Sequence, residues 1–513
     1  MLQGLRGPHT YHGARNGIMI AQDRNQSRTA VAQNSAVGRV SVFRRVKLPA
    51  VLKIYLFCVI IPIGFNLGPL LMTSLRGFLI IVTLPLLFGI VSGKYGRLLI
   101  SDIFFLLYVF WMAITLASNN PQDVVQQVGS VGIEFLGGYA LGRAYIRSRE
   151  DYLELCRALI VIACLLVPFA LVETITGTPN IIMLLKSIPG MITVPIVSYE
   201  PRMGLERVQA SFAHPIHFGL FCSIIFSQAF VALRGQMSDG ARYVLSAVIS
   251  ATGFLALSSG ALLSIILQFG LVVWAFLFRS SQHRWWILLG FFVAAYIFVD
   301  AASNRTPILV FMSYATFSAE TAYYRALIFE WGMQNIWANP IMGIGMNDWF
   351  RPAYMNSPSV DNFWLWIAMQ FGIPGFFILA SGFLVPIWRI MFRRIVGDAA
   401  LANIRLAWVF TFLGLTFTLT TVAIWTNIYS FVFFMFGAGM WMCPPRSSAA
   451  KPEQARLGAL PVSPLRQGLG TAAPQVARGA PQMGVPQPLV GTGRYSRFAP
   501  KSVRSGTASD APE

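Results

Sequence analysis

The chain has 513 residues, of which 55% are hydrophobic and only 12% are Asp, Glu, Lys or Arg. Soluble domains carry about 25% charged residues, so these few polar side chains are not enough to cover a water-facing surface. The composition excludes an ordinary soluble enzyme, and it is the opposite of that of a disordered or disulfide-stapled chain. The apolar residues form runs of bilayer-spanning length without strand-like alternation, which predicts an all-α polytopic membrane protein.

The net charge of +19 comes from 39 basic and 20 acidic residues, and the basic residues are concentrated at the ends of the chain. Segments 1–47 and 444–513 hold 17 of the 39. The second is rich in Pro, Gly, Ala and Gln and has no apolar periodicity. We predict two disordered, basic, cytoplasmic tails and no nucleic-acid partner, because the remaining cations sit mainly in short loops, as in positive-inside anchoring.

Between the tails, segment 48–443 contains the apolar runs and is predicted to be one transmembrane domain of about twelve helices. The runs lie at about 49–67, 70–92, 98–117, 126–142, 153–173, 210–233, 242–257, 260–279, 285–300, 362–388, 402–421 and 424–442. With a cytoplasmic N-terminus, alternation places 32 basic residues inside and 7 outside. This asymmetry predicts a bacterial inner-membrane protein with both termini in the cytoplasm.

Two predicted external segments, 174–209 and 301–361, are too long to be simple connectors, and long loops often carry function. The second contains an amphipathic helix from Thr321 to Trp337, which the sequence Asn339-Pro340 should end. We interpret both segments as periplasmic loops of the transmembrane domain.

The external cations are six arginines and one lysine, on the side of the membrane that normally has few. They are Arg76, Lys186, Arg202, Arg207, Arg305, Arg325 and Arg351. Arg76 lies close to a helix end, where snorkelling explains it. The guanidinium fork of the other arginines matches phosphate oxygens, so several of them predict an anionic ligand at the outer surface. The alternative is that they lie on a solvated face.

His214 and His217 are spaced i, i+3 at the entry of a predicted helix. They could line a polar substrate or simply pack at the helix entry. A metal site is the weakest reading, because Glu206, the nearby acidic residue, lies off their face. No D-x-D, H-E-x-x-H, G-x-S-x-G or Walker A motif occurs.

Asp361 and Asn362 open the long 362–388 run. Asp361 could cap that helix, or it could act as a general base at the membrane–water boundary. Glu134 lies in the middle of an apolar run, where a carboxylate is either functional or buried in its protonated form.

The order of these features resembles the bacterial O-antigen ligase and Wzy-type polysaccharide polymerase family. The family's Arg-x-x-Gly-x-Phe-x-x-Pro-x-x-x-Gly pattern corresponds to Arg207 through Gly219, and its Ser-Arg-Gly helix start to Ser258-Ser259-Gly260. An arginine and a tryptophan on a loop helix, an Asn-Pro-x-x-Gly-x-Gly turn and a polar pair follow. Here these are Arg325 and Trp331, Asn339 through Gly345, and Asp361-Asn362. The chain departs from the pattern at Ser259, where the family has arginine, and at Asp361, where it often has histidine.

The resemblance implies a GT-C-like fold and transfer of a glycan from an undecaprenyl-diphosphate carrier to an acceptor sugar, with no cofactor, metal or nucleotide. It implies that Arg325 and Arg207 stabilise the leaving diphosphate and that Asp361 acts as the base. Arg202, Arg305, His214, His217 and Asn362 would bind substrate. Chain-length regulators or export proteins are implied partners.

Because the histidine is missing, polymerisation is preferred over ligation of glycan to lipid A-core. A flippase or other transporter is the alternative from a different class, but it should line the membrane midplane with polar groups in two related halves.

Overall fold

The structure is a computed structural model that describes residues 47–68, 70–304, 306–314, 316 and 319–443. This part of the chain is mainly helical, with one short β-hairpin. The first elements are α1 (Ala50–Ile60), β1 (Gly64–Leu67), β2 (Leu70–Thr73), α2 (Ser74–Val91), α3 (Ile100–Asn119), α4 (Val124–Gln127), α5 (Ile133–Tyr145), α6 (Arg149–Thr176) and α7 (Asn180–Lys186). The others are α8 (Pro215–Ser227), α9 (Asp239–Phe254), α10 (Ser259–Leu277), α11 (Arg284–Ala302), α12 (Pro307–Tyr314), α13 (Ala319–Ala338), α14 (Phe363–Met391), α15 (Ala399–Thr418) and α16 (Thr426–Ala438).

Among the described residues, eight helices are long and apolar enough to cross a membrane. These are α2, α3, α6, α8 with its π-helical extension to Ala232, α10, α11, α14 and α15. The other four predicted runs fall on shorter helices: α1 has 11 residues, α5 and α16 have 13 each, and α9 has 16. A polytopic membrane protein is therefore supported, whereas the count of twelve spans and the GT-C-like architecture stay predictions.

The run 49–67 was predicted as one helix, and this is wrong beyond Ile60. Pro62 has no N–H to continue the helix and disfavours helical geometry at the residue before it, so the chain becomes extended. Strands β1 and β2 then pair antiparallel, with Gly64 opposite Thr73. Gly64 also exchanges backbone hydrogen bonds with Ile192, which ties this hairpin to the predicted loop 174–209.

Helices α5 and α16 pack closely against each other, and small residues make this possible. A side chain at Gly138 would meet the backbone oxygen of Ser430, and one at Gly142 would meet that of Phe434. On the opposite helix, a side chain at Gly437 would meet the backbone of Tyr139. Such small-residue contacts let helix backbones approach closely in membranes, where apolar burial drives association little.

Two ion pairs with buried carboxylates fasten α5 to its neighbours. Arg76 Nε lies 2.7 Å from Glu134 Oε1, and Arg143 Nε lies 3.6 Å from Asp102 Oδ1. The hydroxyl of Tyr139 also donates to Asp102. Glu134 is thus an ion-pair partner of Arg76 in this structure, a contact that the sequence analysis predicts for neither residue. Sequence spacing gave no indication of either pair, because the partners are distant along the chain.

The connections between helices fall into two groups, and contacts occur within each group. One group lies at what we call the loop end. Its contacts include Ile192 N to Gly64 O (2.8 Å), Glu206 N to Thr174 O (3.0 Å), Val208 N to Leu255 O (3.0 Å), Met346 N to Asn120 Oδ1 (2.8 Å) and Phe363 N to Val422 O (3.1 Å). The contacts at the opposite end include Arg143 to Arg97 O (2.9 Å), Arg149 to Asp398 (3.1 Å), Asn403 to Arg234 O (3.3 Å) and Arg393 to Met442 O (2.6 Å). This division agrees with the predicted alternation of the connections.

Candidate functional site

Three of the predicted arginines converge at the loop end on one short segment, residues 256–259, where the connection from α9 enters α10. Arg207 Nε donates to the carbonyl of Ala256 at 3.4 Å, and Arg202 Nη1 donates to that of Leu257 at 2.9 Å. Arg325, from α13, reaches the Ser259 hydroxyl oxygen with Nη2 at 3.4 Å. The three come from two separate predicted loops, so the tertiary structure brings together cations that lie up to 123 positions apart (325 − 202).

Ser259 is the position where the family pattern has an arginine. In this chain the guanidinium of Arg325 reaches that position from the loop helix. Burial lowers the pKa of Arg325, and the nearby charge of Arg202 lowers it further, while Asp361 acts in the other direction. The same neighbours surround Arg207, whose pKa burial lowers to about 10, so that it still carries its charge at neutral pH.

Asp361 is the acidic member of this group. It is half-buried, interacts electrostatically with Arg207 and Arg325, and accepts a hydrogen bond from Ser359 Oγ at 3.2 Å. Together these three arginines and one carboxylate carry a formal charge of +2 (3 − 1). The cluster therefore attracts an anion while keeping one carboxylate within reach of whatever binds.

The helix-capping role considered for Asp361 belongs to its neighbour. Asn362 Oδ1 accepts the backbone N–H of Leu365 at 3.0 Å, and Asn362 has the extended backbone of an N-cap. The backbone N–H of Phe363 then bonds the carbonyls of Leu419 and Val422, at 2.9 and 3.1 Å. This anchors the start of α14 and leaves the Asp361 carboxylate out of the cap.

A tyrosine that sequence reasoning missed links two of the predicted residues. Tyr199 Oη lies 2.5 Å from His214 Nε2, and the guanidinium of Arg207 sits 4.4 Å from the Tyr199 ring centroid. His214 Nδ1 accepts the backbone N–H of Ile216, so it caps α8. In a neutral imidazole one nitrogen accepts and the other donates, so Nε2–H donates to Tyr199. Burial and the charge of Arg207 lower the pKa of His214 to about 4, which keeps the ring neutral at pH 7.

His217 does not join His214 as a ligand pair. Their ring centroids are 6.1 Å apart, and the buried His217 ring packs at 4.0 Å from Trp425. In the described ranges, no group of three or more His, Cys, Asp or Glu side chains is close enough to hold a metal ion. His214 caps α8 and His217 packs in its first turn, which is the geometry of residues at a helix entry.

The arginine-bearing segment is held in place by a buried carboxylate from α6. Glu173 accepts the backbone N–H groups of Gln209 and Ala210, at 2.7 and 2.9 Å. Ala210 has a positive φ of 53°, at the position where the family pattern has glycine. A non-glycine residue pays about 1–2 kcal/mol for this left-handed conformation. The two hydrogen bonds to Glu173 hold it there.

The Asn-Pro-x-x-Gly-x-Gly turn places α13 against α14. Ile344 N bonds Met369 O at 2.8 Å, and Ile373 N bonds Pro340 O at 2.8 Å. This pairing needs a break in α14, which occurs at Gly372, with φ of +69°. A side chain at Gly372 would meet the carbonyl oxygen of Ile341. The motif is therefore a docking turn that fixes the helix carrying Arg325.

Beside the cluster, a cavity of about 900 Å³ lies among α11 to α15. Its walls are almost wholly apolar, with Phe311, Trp337, Trp364 and Phe417 among them, and Asn362 is one of the few polar groups lining it. Since Asn362 directly follows Asp361, the apolar cavity adjoins the charged cluster. This arrangement suits a ligand with a charged head and a long apolar chain.

Of the predicted site residues, the structure thus groups Arg202, Arg207, Arg325, Asp361 and His214, with Asn362 next to them. Arg305 lies outside the described residues. Tyr199 and Glu173 were missed, because a tyrosine in a loop and a glutamate near the end of an apolar run carry no motif. Only the fold shows that they touch the segment around Arg207.

Comparison with known proteins gives one match. Residues 244–380 match the family model described as O-antigen ligase. No curated protein and no solved structure matches the chain. The matched segment includes Ser259, Arg325, Asp361 and the docking turn, so the resemblance is confirmed for the part of the chain that carries them. Together with the eight described helices that are long and apolar enough to cross a membrane, this match indicates a multi-pass membrane protein similar to the O-antigen ligase family of polysaccharide biosynthesis.

Proposed function

We propose that the protein is a glycan polymerase of the bacterial inner membrane, whose loop end faces the periplasm. It transfers an undecaprenyl-diphosphate-linked oligosaccharide to a growing exopolysaccharide or O-antigen chain. The observation that carries this proposal is the cluster of Arg202, Arg207, Arg325 and Asp361 beside the apolar cavity. A lipid diphosphate has a charged head that suits the cluster and a long apolar chain that suits the cavity.

In the proposed reaction, an acceptor hydroxyl attacks the anomeric carbon of the carrier-linked sugar. The new glycosidic bond forms as the bond from that carbon to the diphosphate oxygen breaks. Asp361 accepts the hydroxyl proton, and the arginines stabilise the charge that develops on the departing lipid diphosphate. No divalent metal takes part, since the guanidinium groups supply the positive charge.

Tyr199 and His214 have a positioning role in this proposal. The neutral His214 ring caps α8 and donates to Tyr199, and the Tyr199 ring packs on the Arg207 guanidinium. The contact is a cation–π interaction, which orients Arg207 without neutralising its charge. Arg207 thus keeps its charge for the donor diphosphate.

The polymerase and its alternatives differ in their products. Purified protein in bilayers, given only lipid-linked repeat units and EDTA, should release polyprenyl diphosphate and form a ladder of longer carrier-linked glycans. A ligase would produce no ladder and would transfer glycan only after lipid A-core is added. A transporter would release no polyprenyl diphosphate at all. A ladder that disappears in EDTA and returns with magnesium would contradict the metal-free mechanism.

A further inference from the structure

A second cavity, of about 1180 Å³, lies between α1, α6 and α7. None of the residues that line it belongs to the arginine cluster. We call it the α1–α6 groove. Its walls are mostly apolar and include Phe57, Ile61, Val161, Leu165 and Phe169. Several of these side chains, such as Leu165 at 65% exposed, would face lipid in a bilayer.

One end of the groove is charged. Lys47 and Lys53 line it at the start of α1, and Glu154 and Arg157 line it in the first third of α6. Arg157 pairs with Glu154 at 3.1 Å, which leaves a formal charge of +2 for the four groups (3 − 1). The polar end therefore favours an anion.

The charged end belongs to the opposite end of the bundle from the candidate site. At the start of α6, Arg149 pairs with Asp398 at that opposite end. At the other terminus of α6, Glu173 and Thr174 hold the loop-end segment. The groove is thus a site separate from the arginine cluster.

The dimensions of the groove match one leaflet of a bilayer. From Arg157 to Phe169 the α6 wall rises twelve residues, or about 18 Å at 1.5 Å per residue. This is somewhat more than half of the ~30 Å hydrocarbon core. An occupant with its charge at Lys53 and Arg157 would thus extend its apolar part to about the middle of the membrane.

We propose that the α1–α6 groove binds an anionic phospholipid, with its phosphate at Lys47, Lys53 and Arg157 and its acyl chains along α1 and α6. Basic pockets between helices at a membrane surface are typical sites for acidic lipid head groups. The N-terminal tail is a poor occupant, because residues 1–46 hold seven arginines against one aspartate, and the lysines repel this net positive charge. Only the assignment of this lipid to the cytoplasmic leaflet depends on the orientation in the proposed function.

Native mass spectrometry of the detergent-purified full chain, with added phosphatidylglycerol or phosphatidylethanolamine, tests the proposal. We expect preferential retention of phosphatidylglycerol. At ~1 kcal/mol for each lysine near a lipid surface, Lys47→Gln with Lys53→Gln should weaken its binding about thirtyfold. Glu154→Gln should strengthen it, because the net charge of the groove rises.

The matched control is Lys94→Gln with Arg279→Gln, which removes the same charge from two exposed positions that do not line the groove. It should retain the lipid. Equal retention of both lipids, or equal loss in the control, would overturn the proposal.

Photo-crosslinking separates this site from the donor site. A phosphatidylglycerol with a photoreactive acyl chain should label peptides from α1 and from segment 154–169. Labelling elsewhere, or displacement by excess polyprenyl phosphate, would show that the groove is not a phospholipid site. Neither outcome depends on glycan transfer, so the polymerase proposal can fail while this one holds.

Discussion

Two sets of arginines in this protein have different partners. Inside the helix bundle, Arg76 and Arg143 lie beside the carboxylates of Glu134 and Asp102. At the loop end, Arg202 and Arg207 donate to backbone carbonyls, and Arg207 and Arg325 interact electrostatically with Asp361. A guanidinium that donates to a neutral carbonyl oxygen has a hydrogen-bond partner, but that partner does not neutralise its positive charge.

The contrast separates structure from function. Neutralised pairs inside the bundle fasten helices, and removing one partner leaves a costly buried charge. The cluster at the loop end carries surplus positive charge next to an apolar cavity, which favours an amphipathic anion. Variants in the first set should change stability, and variants in the second should change activity at normal stability.

The largest effect on activity should come from Asp361→Asn. Loss of a general base typically costs ~10²–10⁴ in rate, while the α14 cap at Asn362 stays in place. We expect normal thermal stability and almost no release of polyprenyl diphosphate from lipid-linked donor. Asp348→Asn, a matched change at an exposed loop aspartate, should keep its activity. Full-length glycan from Asp361→Asn would remove Asp361 from the mechanism.

Arg325→Ala should abolish long glycan in cells at normal protein levels, since the donor diphosphate loses one guanidinium. Arg325→Lys keeps the charge but loses the planar fork, so it should restore little polymer. Glycan length on gels, with protein levels on blots, measures both effects. If Arg325→Ala mainly lowers the protein level, Arg325 belongs with the structural arginines.

Glu134→Gln should lower stability, because it leaves the Arg76 charge in the bundle without its carboxylate. Breaking a buried pair in this way costs ~3–5 kcal/mol, and the partial exposure of Arg76 places the expected value at the lower end. The double variant Arg76→Leu with Glu134→Leu should regain much of the loss. Thermal unfolding in detergent measures all three proteins. An unchanged melting temperature in Glu134→Gln would contradict the fastening role.

Acid should destabilise the loop end through His214. Its pKa is about 4 in the folded protein and near 6.5 when unfolded, so between these values the unfolded chain binds a proton that the folded one does not. The free energy of unfolding should therefore fall as the pH drops from 6.5 to 4. His214→Asn can still cap α8 but has no such titration, so its melting temperature should depend less on pH. If the melting temperatures of both proteins depend on pH in the same way, His214 is not the group responsible.

The smallest effect is expected from Ala210→Gly, which should stabilise the protein. Ala210 has a positive φ, and glycine adopts that conformation without a Cβ clash. The gain should be about 0.5–1 kcal/mol, after the extra entropy lost by glycine on folding. A slightly higher melting temperature with unchanged activity is expected. A decrease would mean that the methyl group of Ala210 contributes more through packing than its backbone costs.

Much of the site was predictable residue by residue, because the chemistry of its members is unusual for their setting. The sequence alone shows arginines on the side of a membrane protein where cations are rare, and it shows Asp361 at the start of an apolar run. The Asn-Pro-x-x-Gly-x-Gly turn was also visible, although its role as a docking turn against Gly372 was not. Tyr199 and Glu173 were invisible, since their importance lies wholly in contacts with distant segments.

The amino-acid sequence alone predicts a polytopic helical membrane protein, because hydrophobic length and charge asymmetry depend on local composition. It also determined the end of α13 before Asn339 and the resemblance in segment 244–380. The three-dimensional packing alone shows that Pro62 leads into a hairpin and that Arg76 meets Glu134. It also decided that Asn362, and not Asp361, caps α14. These outcomes depend on which partner lies opposite a residue in space, and periodicity along the chain carries no information about that.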